Sequence, residues 1–149
     1  MDLWKTDRMP TIKSVMTPFP YTVQIDDPLT RAEEIMRKHG VRHVPVEEEE
    51  RLVGIATHRD LALLVNRALD ELSRSKIRVR QICVRDPYVV DLNEPLDRVV
   101  LEMAARHLGS ALVVREGRLA GIFTVTDACE VLGEILRARF RPPHGHDAA

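Results

Sequence analysis

The sequence predicts an α/β fold in the α+β arrangement, with two like β-α-β-β-α units joined in one compact module. Three observations predict it. Displaced by 67 residues, the chain aligns with itself without a gap from Ser14 onward against Gln81 onward. Within each copy the hydrophobic periodicity switches between strand-like and helix-like runs. At 149 residues and 44% hydrophobic, the chain is also long and apolar enough to bury a core.

The repeat fixes the frame. Pro20-Tyr21-x-Val23 falls on Pro87-Tyr88-x-Val90, Pro28-Leu29-x-Arg31 on Pro95-Leu96-x-Arg98, Met36 on Met103 and Val46 on Val113. The densest match is Arg51-Leu52-x-Gly54-Ile55-x-Thr57-x-x-Asp60 on Arg118-Leu119-x-Gly121-Ile122-x-Thr124-x-x-Asp127. An ungapped repeat implies one backbone trace used twice. Either copy alone is too small to bury its apolar face well, so the two are expected to pack together.

Each element follows from local chemistry. Tyr21 to Ile25 alternates as a strand does. Asp27 is placed to cap a helix with Pro28 at its first position, where a missing N–H costs nothing. That helix carries Leu29, Ala32 and Met36 on one face, and Gly40 stops it. Val41 to Val46 and Leu52 to Ala56 are β-rich runs joined by Glu47 to Glu50, a solvated hairpin connection. A second helix is predicted from about Thr57, with Leu61, Leu64, Val65, Ala68, Leu69 and Leu72 as its buried stripe. Its counterpart carries Ala128, Val131, Leu132, Ile135 and Leu136. Ser73 to Arg80 reads as a short basic connector, a solvated linker rather than a phosphate patch. The expected organisation is residues 1–75 as the first unit with its N-terminal segment, 76–140 as the second, and 141–149 as a disordered tail.

Composition excludes several function classes. Lysine plus arginine (22) nearly cancels aspartate plus glutamate (23), so no basic field drives binding to nucleic acid or anionic membrane. Neither a signal peptide nor an apolar run long enough to span a membrane is found, and a cytoplasmic location is expected. Cys83 and Cys129 read as reduced core residues. His39 and His107, near the ends of matching helices, read as structural. The chain has no Gly-x-Ser-x-Gly, P-loop, His-Glu-x-x-His or Gly-x-Gly-x-x-Gly, so no catalytic residue is assigned and the expectation is a protein that is not an enzyme.

Chemistry concentrates where strand gives way to helix, at Gly54 to Asp60 and Gly121 to Asp127. Thr-x-x-Asp before an apolar helix is a variant capping box, in which threonine and aspartate satisfy the first helical N–H groups. The same geometry offers free N–H groups and a positive helix end to an anion, and an aspartate there can accept from two ribose hydroxyls. Both readings stand for each copy.

These residues resemble a known family, the tandem pair of cystathionine-β-synthase (CBS) domains called a Bateman module. The similarity rests on Val15-Met16-Thr17-Pro18, Asp27-Pro28-Leu29, Gly40 to Val46 and above all Leu52 to Leu61, and it spans about Thr11 to Arg137. It implies two pseudo-twofold-related units packed sheet to sheet with two clefts between them, and dimerisation through amphipathic helices. It also implies a regulatory module that binds an adenosine-containing ligand (AMP, ADP, ATP or S-adenosylmethionine), needs no other cofactor, and signals to a separate protein partner.

Carried onto this chain, the resemblance implies a first-copy site of Val15, Thr17, Arg42, His43, Pro45, Thr57, His58, Arg59 and Asp60. The second-copy site would comprise Ile82, Val84, Ser110, Leu112, Thr124, Thr126 and Asp127. In each, aspartate would hold the ribose, threonine would lie near the phosphates, and the segment before the first strand would flank the adenine. The copies differ in charge: Arg42 and His43 are matched by Gly109 and Ser110, and Arg59 by Thr126. Since a phosphate needs cationic or N–H donors to offset its desolvation, the first copy looks like the better nucleotide site. The second would take a nucleoside, a phosphate reached by Arg42 across the pseudo-twofold, or nothing. Two other readings remain open: a structural or interaction module with empty clefts, and a metal- or redox-responsive protein using Cys83 and Cys129.

Overall fold

The computed structural model describes residues 7–65 and 70–141. The elements are β1 (Thr17–Pro18), β2 (Val23–Gln24), α1 (Leu29–His39), β3 (His43–Glu48), β4 (Arg51–Thr57), α2 (His58–Val65), α3 (Glu71–Lys76), β5 (Val89–Asp91), α4 (Leu96–Ala105), β6 (Ser110–Arg115), β7 (Arg118–Thr124) and α5 (Val125–Phe140). One sheet has the order β2-β3-β4 and the other β1-β7-β6-β5. In each copy a parallel pair (β2 with β3, β5 with β6) is followed by an antiparallel hairpin (β3 with β4, β6 with β7).

The two copies exchange their leading segments. β1, from the first copy, pairs with β7 of the second, Thr17 opposite Ile122. Val84, from the second copy, bridges Ile55 of β4, the same pairing with the copies interchanged. Ahead of these crossings the Ile12 N–H donates to the Glu94 carbonyl at 2.9 Å, and the Val79 N–H donates to the Asp27 carbonyl at 2.9 Å. Every partner is displaced by 67 positions with the copies swapped, which is a pseudo-twofold axis written in hydrogen bonds.

Three apolar clusters follow from this arrangement. Val23, Leu29, Ala32, Val44, Val46 and Leu61 form the first core, closed by Val79 of the second copy. Val90, Leu96, Val99, Val113 and Phe123 form the second, closed by Ile12 of the first copy. Between the sheets lie Ile55, Leu112 and Ile122, so the copies pack sheet to sheet.

Several local expectations change. Pro28, not Asp27, takes the position before α1, and the Asp27 carboxylate instead accepts from the Gln24 N–H at 2.8 Å, closing the turn before it. β2 has two residues where β5 has three, because Pro45 has no N–H; its counterpart Leu112 donates to the Tyr88 carbonyl at 2.8 Å. The helix after β4 does not run on to Leu72: Asp70 is extended, and its side chain accepts from the Ser73 N–H at 2.7 Å to begin α3. Ala68, Leu69 and the tail from 142 lie outside the described residues.

Ser73 to Arg80 is not a solvated linker throughout. Lys76 ends a helix, Ile77 packs on the first core, Val79 is fully buried in it, and Arg80 pairs with Asp26 at 2.9 Å and Glu48 at 3.2 Å. Of the two cysteines, Cys83 packs partly buried against the first core, while Cys129 is exposed on α5, a helix without a buried residue. Gly40 ends α1 in the left-handed region as its sequence position predicts, with φ 64°. The matching position in the second copy is His107, at φ 54°. Among the described residues no helix is long and apolar enough to cross a membrane.

Candidate functional site

Thr57 ends β4 and Thr124 ends β7, and in each copy a helix begins at the next residue. In the second copy the capping box is complete. The Asp127 N–H donates to Thr124 Oγ1 at 3.3 Å, and Asp127 Oδ2 accepts from the Thr124 N–H at 2.7 Å. In the first copy the Asp60 N–H donates to Thr57 Oγ1 at 3.2 Å, and the Thr57 hydroxyl donates to Asp60 Oδ2 at 2.6 Å. These bonds fall on Oδ2 of each aspartate. Among the described residues Oδ1 is left without a protein partner, so capping does not consume the group that would accept from a sugar hydroxyl.

Two equivalent clefts surround these junctions. The first, of about 710 Å³, is lined by Thr57, His58, Arg59 and Asp60 from one copy and by Val84, Asp86, Pro87, Tyr88, His107, Gly109 and Ser110 from the other. The second, of about 810 Å³, is lined by Thr124, Thr126 and Asp127 together with Thr17, Pro18, Phe19, Pro20 and Tyr21. Arg42 and His43, at the start of β3, line both. Both volumes suit a small organic ligand.

The exchange of leading segments regroups the residues picked out from sequence. Thr17 belongs with Asp127, not Asp60, and Val84 and Ser110 belong with Asp60, not Asp127. Arg42, His43, Thr57, His58, Arg59 and Asp60 do come together, as do Thr124, Thr126 and Asp127. Val15 packs on the second core and Ile82 on the first, so their side chains serve the interior. Pro45 and Leu112 occupy matching positions in β3 and β6 and are fully buried, Leu112 between the sheets. Their alternation along the strand turns them inward.

Sequence reasoning passed over Tyr21 and Tyr88, although Pro-Tyr recurs in both copies. Tyr21 lines the second cleft and stacks on His39, ring centroids 3.7 Å apart, while Tyr88 lines the first with the Arg106 guanidinium 5.3 Å from its ring. The glycines before each junction have a steric reason. A Cβ on Gly54 would stand 2.6 Å from the Val84 carbonyl oxygen, and one on Gly121 would stand 3.0 Å from the Thr17 carbonyl oxygen. Each glycine therefore lets the other copy's segment cross close to its strand.

The electrostatics of the clefts are unequal. Among the described residues the first contains Arg42, Arg59, His43, His58 and His107 against Asp60 and Asp86, whereas the second contains only Arg42 and His43 against Asp127. Burial holds the His43 imidazole below its ordinary pKa; Arg42 acts in the same direction, and Asp127 and Asp60 oppose it. Among the described residues no group of three His, Cys, Asp or Glu side chains is placed to hold a metal ion.

Known proteins share this architecture. The chain is 28% identical over 124 residues to an L-aspartate semialdehyde sulfurtransferase of Methanocaldococcus jannaschii, a match covering 82% of this chain and 23% of that protein. It thus spans less than two thirds of the length of such curated relatives, from 20% to 42%. A CBS domain pair solved in complex with 5′-methylthioadenosine and S-adenosyl-L-methionine superposes with a TM-score of 0.75 at 26% identity, over 85% of this chain and 98% of that one. The CBS domain of a bacterial CNNM/CorC family Mg2+ transporter in complex with ATP gives 0.71 at 27%, over 85% and 87%. The CBS domain model matches residues 12–67 and again 79–134, one match per copy and together most of the chain. The crossed repeat, its two clefts and these matches lead to one conclusion: the chain belongs to the CBS domain family, as a tandem pair.

Proposed function

We propose that this CBS pair is a regulatory sensor of an adenosine-containing ligand of the AMP, ADP or ATP class, with its principal site in the first cleft. Asp60 Oδ1 accepts from the ribose hydroxyls, Thr57 and the start of α2 face the phosphate, and the bridged backbone at Val84 flanks the adenine. Arg42 and Arg59 supply the positive charge, and the His43 imidazole a neutral hydrogen-bonding group. The observation that carries this reading is the first cleft itself, in which a helix N-terminus, an aspartate with a spare oxygen and five basic side chains converge. Similar CBS pairs bound to S-adenosyl-L-methionine with 5′-methylthioadenosine, and to ATP, support the ligand class.

The module acts by binding rather than catalysis, in the cytoplasm. Ligand in the cleft favours one relative orientation of the copies, or of two protomers in a homodimer, and a separate protein reads the difference. α5 supports the homodimer: only Ala128 and Val131 pack, partly buried, on the second core, and Leu132, Leu136 and Phe140 are exposed.

A thermal-shift series with AMP, ADP, ATP, S-adenosylmethionine, NAD and GTP tests this. One adenosine compound raises the melting temperature by a few degrees at a concentration about a hundredfold above its Kd. The shift disappears in Asp60→Asn, which keeps the hydrogen-bonding shape of the cap, and persists in Asp127→Asn. Absence of a shift with all six compounds overturns the sensor reading and leaves a structural or interaction module.

A further inference from the structure

The clefts are equivalent in backbone but not in charge. The His58 N–H donates to the Arg42 carbonyl at 2.8 Å, and its counterpart, the Val125 N–H, donates to the Gly109 carbonyl at 3.1 Å, so the frame repeats faithfully. The side chains do not. Arg42 is the only lysine or arginine lining the second cleft among the described residues, His43 is its only other basic side chain, and both also line the first. Their counterparts Gly109 and Ser110 carry no charge and line the first cleft.

The two positions touch. A Cβ on Gly109 would stand 2.8 Å from His43 Nε2, so a side chain at 109 would require the imidazole to shift.

Building on the adenosine-ligand reading, we infer that the clefts share one pair of phosphate donors, the Arg42 guanidinium and the neutral His43 imidazole, and that the chain holds one phosphate-bearing ligand at a time. With the pair turned to the first cleft, the second accepts only the uncharged nucleoside part of such a ligand. A guanidinium fork saturates one phosphate face, and a phosphate left without cationic donors bears its desolvation uncompensated. The first cleft keeps Arg59, His58 and His107 as additional donors and therefore outcompetes the second for the pair. The second cleft keeps Asp127 for a ribose, with Oδ1 unengaged, and Ile122 and Tyr21 as apolar walls. The two sites thereby become a discriminating couple, one for the nucleotide and one for the nucleoside.

Calorimetric titration with AMP and adenosine tests this on the full chain. AMP should bind once per chain and adenosine twice. Protein saturated with AMP should still take one adenosine, and Asp127→Asn should lose that event alone. Arg42→Gln should weaken AMP by about tenfold or more, the loss of a charge-assisted hydrogen bond, while leaving adenosine within about twofold. Two AMP molecules bound per chain with similar affinity overturn the sharing and leave the adenosine reading standing, as does an AMP-saturated chain that takes no adenosine. Absence of heat from both compounds, with the circular dichroism of the protein native, overturns the adenosine reading and this inference with it.

Discussion

The carbonyl oxygen of Val84 lies 2.6 Å from the point where a Cβ on Gly54 would stand, with the Val84 and Ile55 backbones joined by reciprocal hydrogen bonds of 2.9 and 3.0 Å. A methyl group cannot enter without moving backbone. Gly54→Ala should therefore lower stability by about 1–3 kcal/mol, as overpacking does. Gly133→Ala, in α5 with no heavy atom within 4 Å, should raise it by about 0.5–1 kcal/mol through helix propensity. Urea unfolding of both variants decides the matter; an unperturbed Gly54→Ala contradicts the close crossing.

The exchanged segments make a prediction about which half loosens. Ile12 is fully buried in the core of the second copy, so Ile12→Ala should cost about 2–4 kcal/mol. Hydrogen exchange should accelerate chiefly in β5, β6 and β7, far along the chain from the substitution. Val79→Ala should do the converse and expose β2, β3 and β4. Protection lost only in the half that carries the substitution rules out the exchange.

The hairpin loop of the first copy stores strain at two positions, and that of the second at one. Glu49 and Glu50 have φ of 49° and 63°, whereas the second copy places Glu116 and Gly117 at 51° and 77°. Two residues in the left-handed region suit a tight hairpin, but a side chain there costs energy. Glu50→Gly should stabilise the protein by about 0.5–1 kcal/mol, read as a higher urea midpoint with an unchanged slope.

His43 sets a mildly acidic limb in the stability profile. Its folded pKa lies below the ordinary histidine value because of burial and Arg42, with Asp127 and Asp60 opposing. As pH falls through about 6.5 the unfolded chain takes up a proton that the folded chain does not, so stability is full above that pH and declines below it. Asp26, held low by its bond to Arg80, loses its contribution only in a more acidic range. His43→Gln should flatten the slope between about pH 7 and pH 5.5 in urea unfolding. An unchanged slope in that variant assigns the limb elsewhere.

The 67-residue repeat, the two junctions and the hairpins were legible because they rest on periodic runs of five or more residues and on Thr-x-x-Asp, whose hydrogen bonds are local. The exchange of leading segments was not. Its strand is two residues long in one copy and a single bridge in the other, too short for alternation to register. The basic letters around Ile77 and Val79 likewise hid two core residues, and Thr17 was grouped with the wrong aspartate for want of the crossing. The break before α3 did leave a sign, Asp70 followed three places later by Ser73, which the apolar stripe running on to Leu72 outweighed.

The crossing also bears on ancestry and on cutting. A half-length chain with this trace would present an unfilled core and an unpaired strand, and would complete both only by clasping a second copy of itself. Tandem fusion turns that handshake into an intramolecular one. Severed between the repeats, the protein should yield two pieces that are each unstable alone yet reassemble when mixed, since each carries the closing residue of the other, Ile12 in one and Val79 in the other.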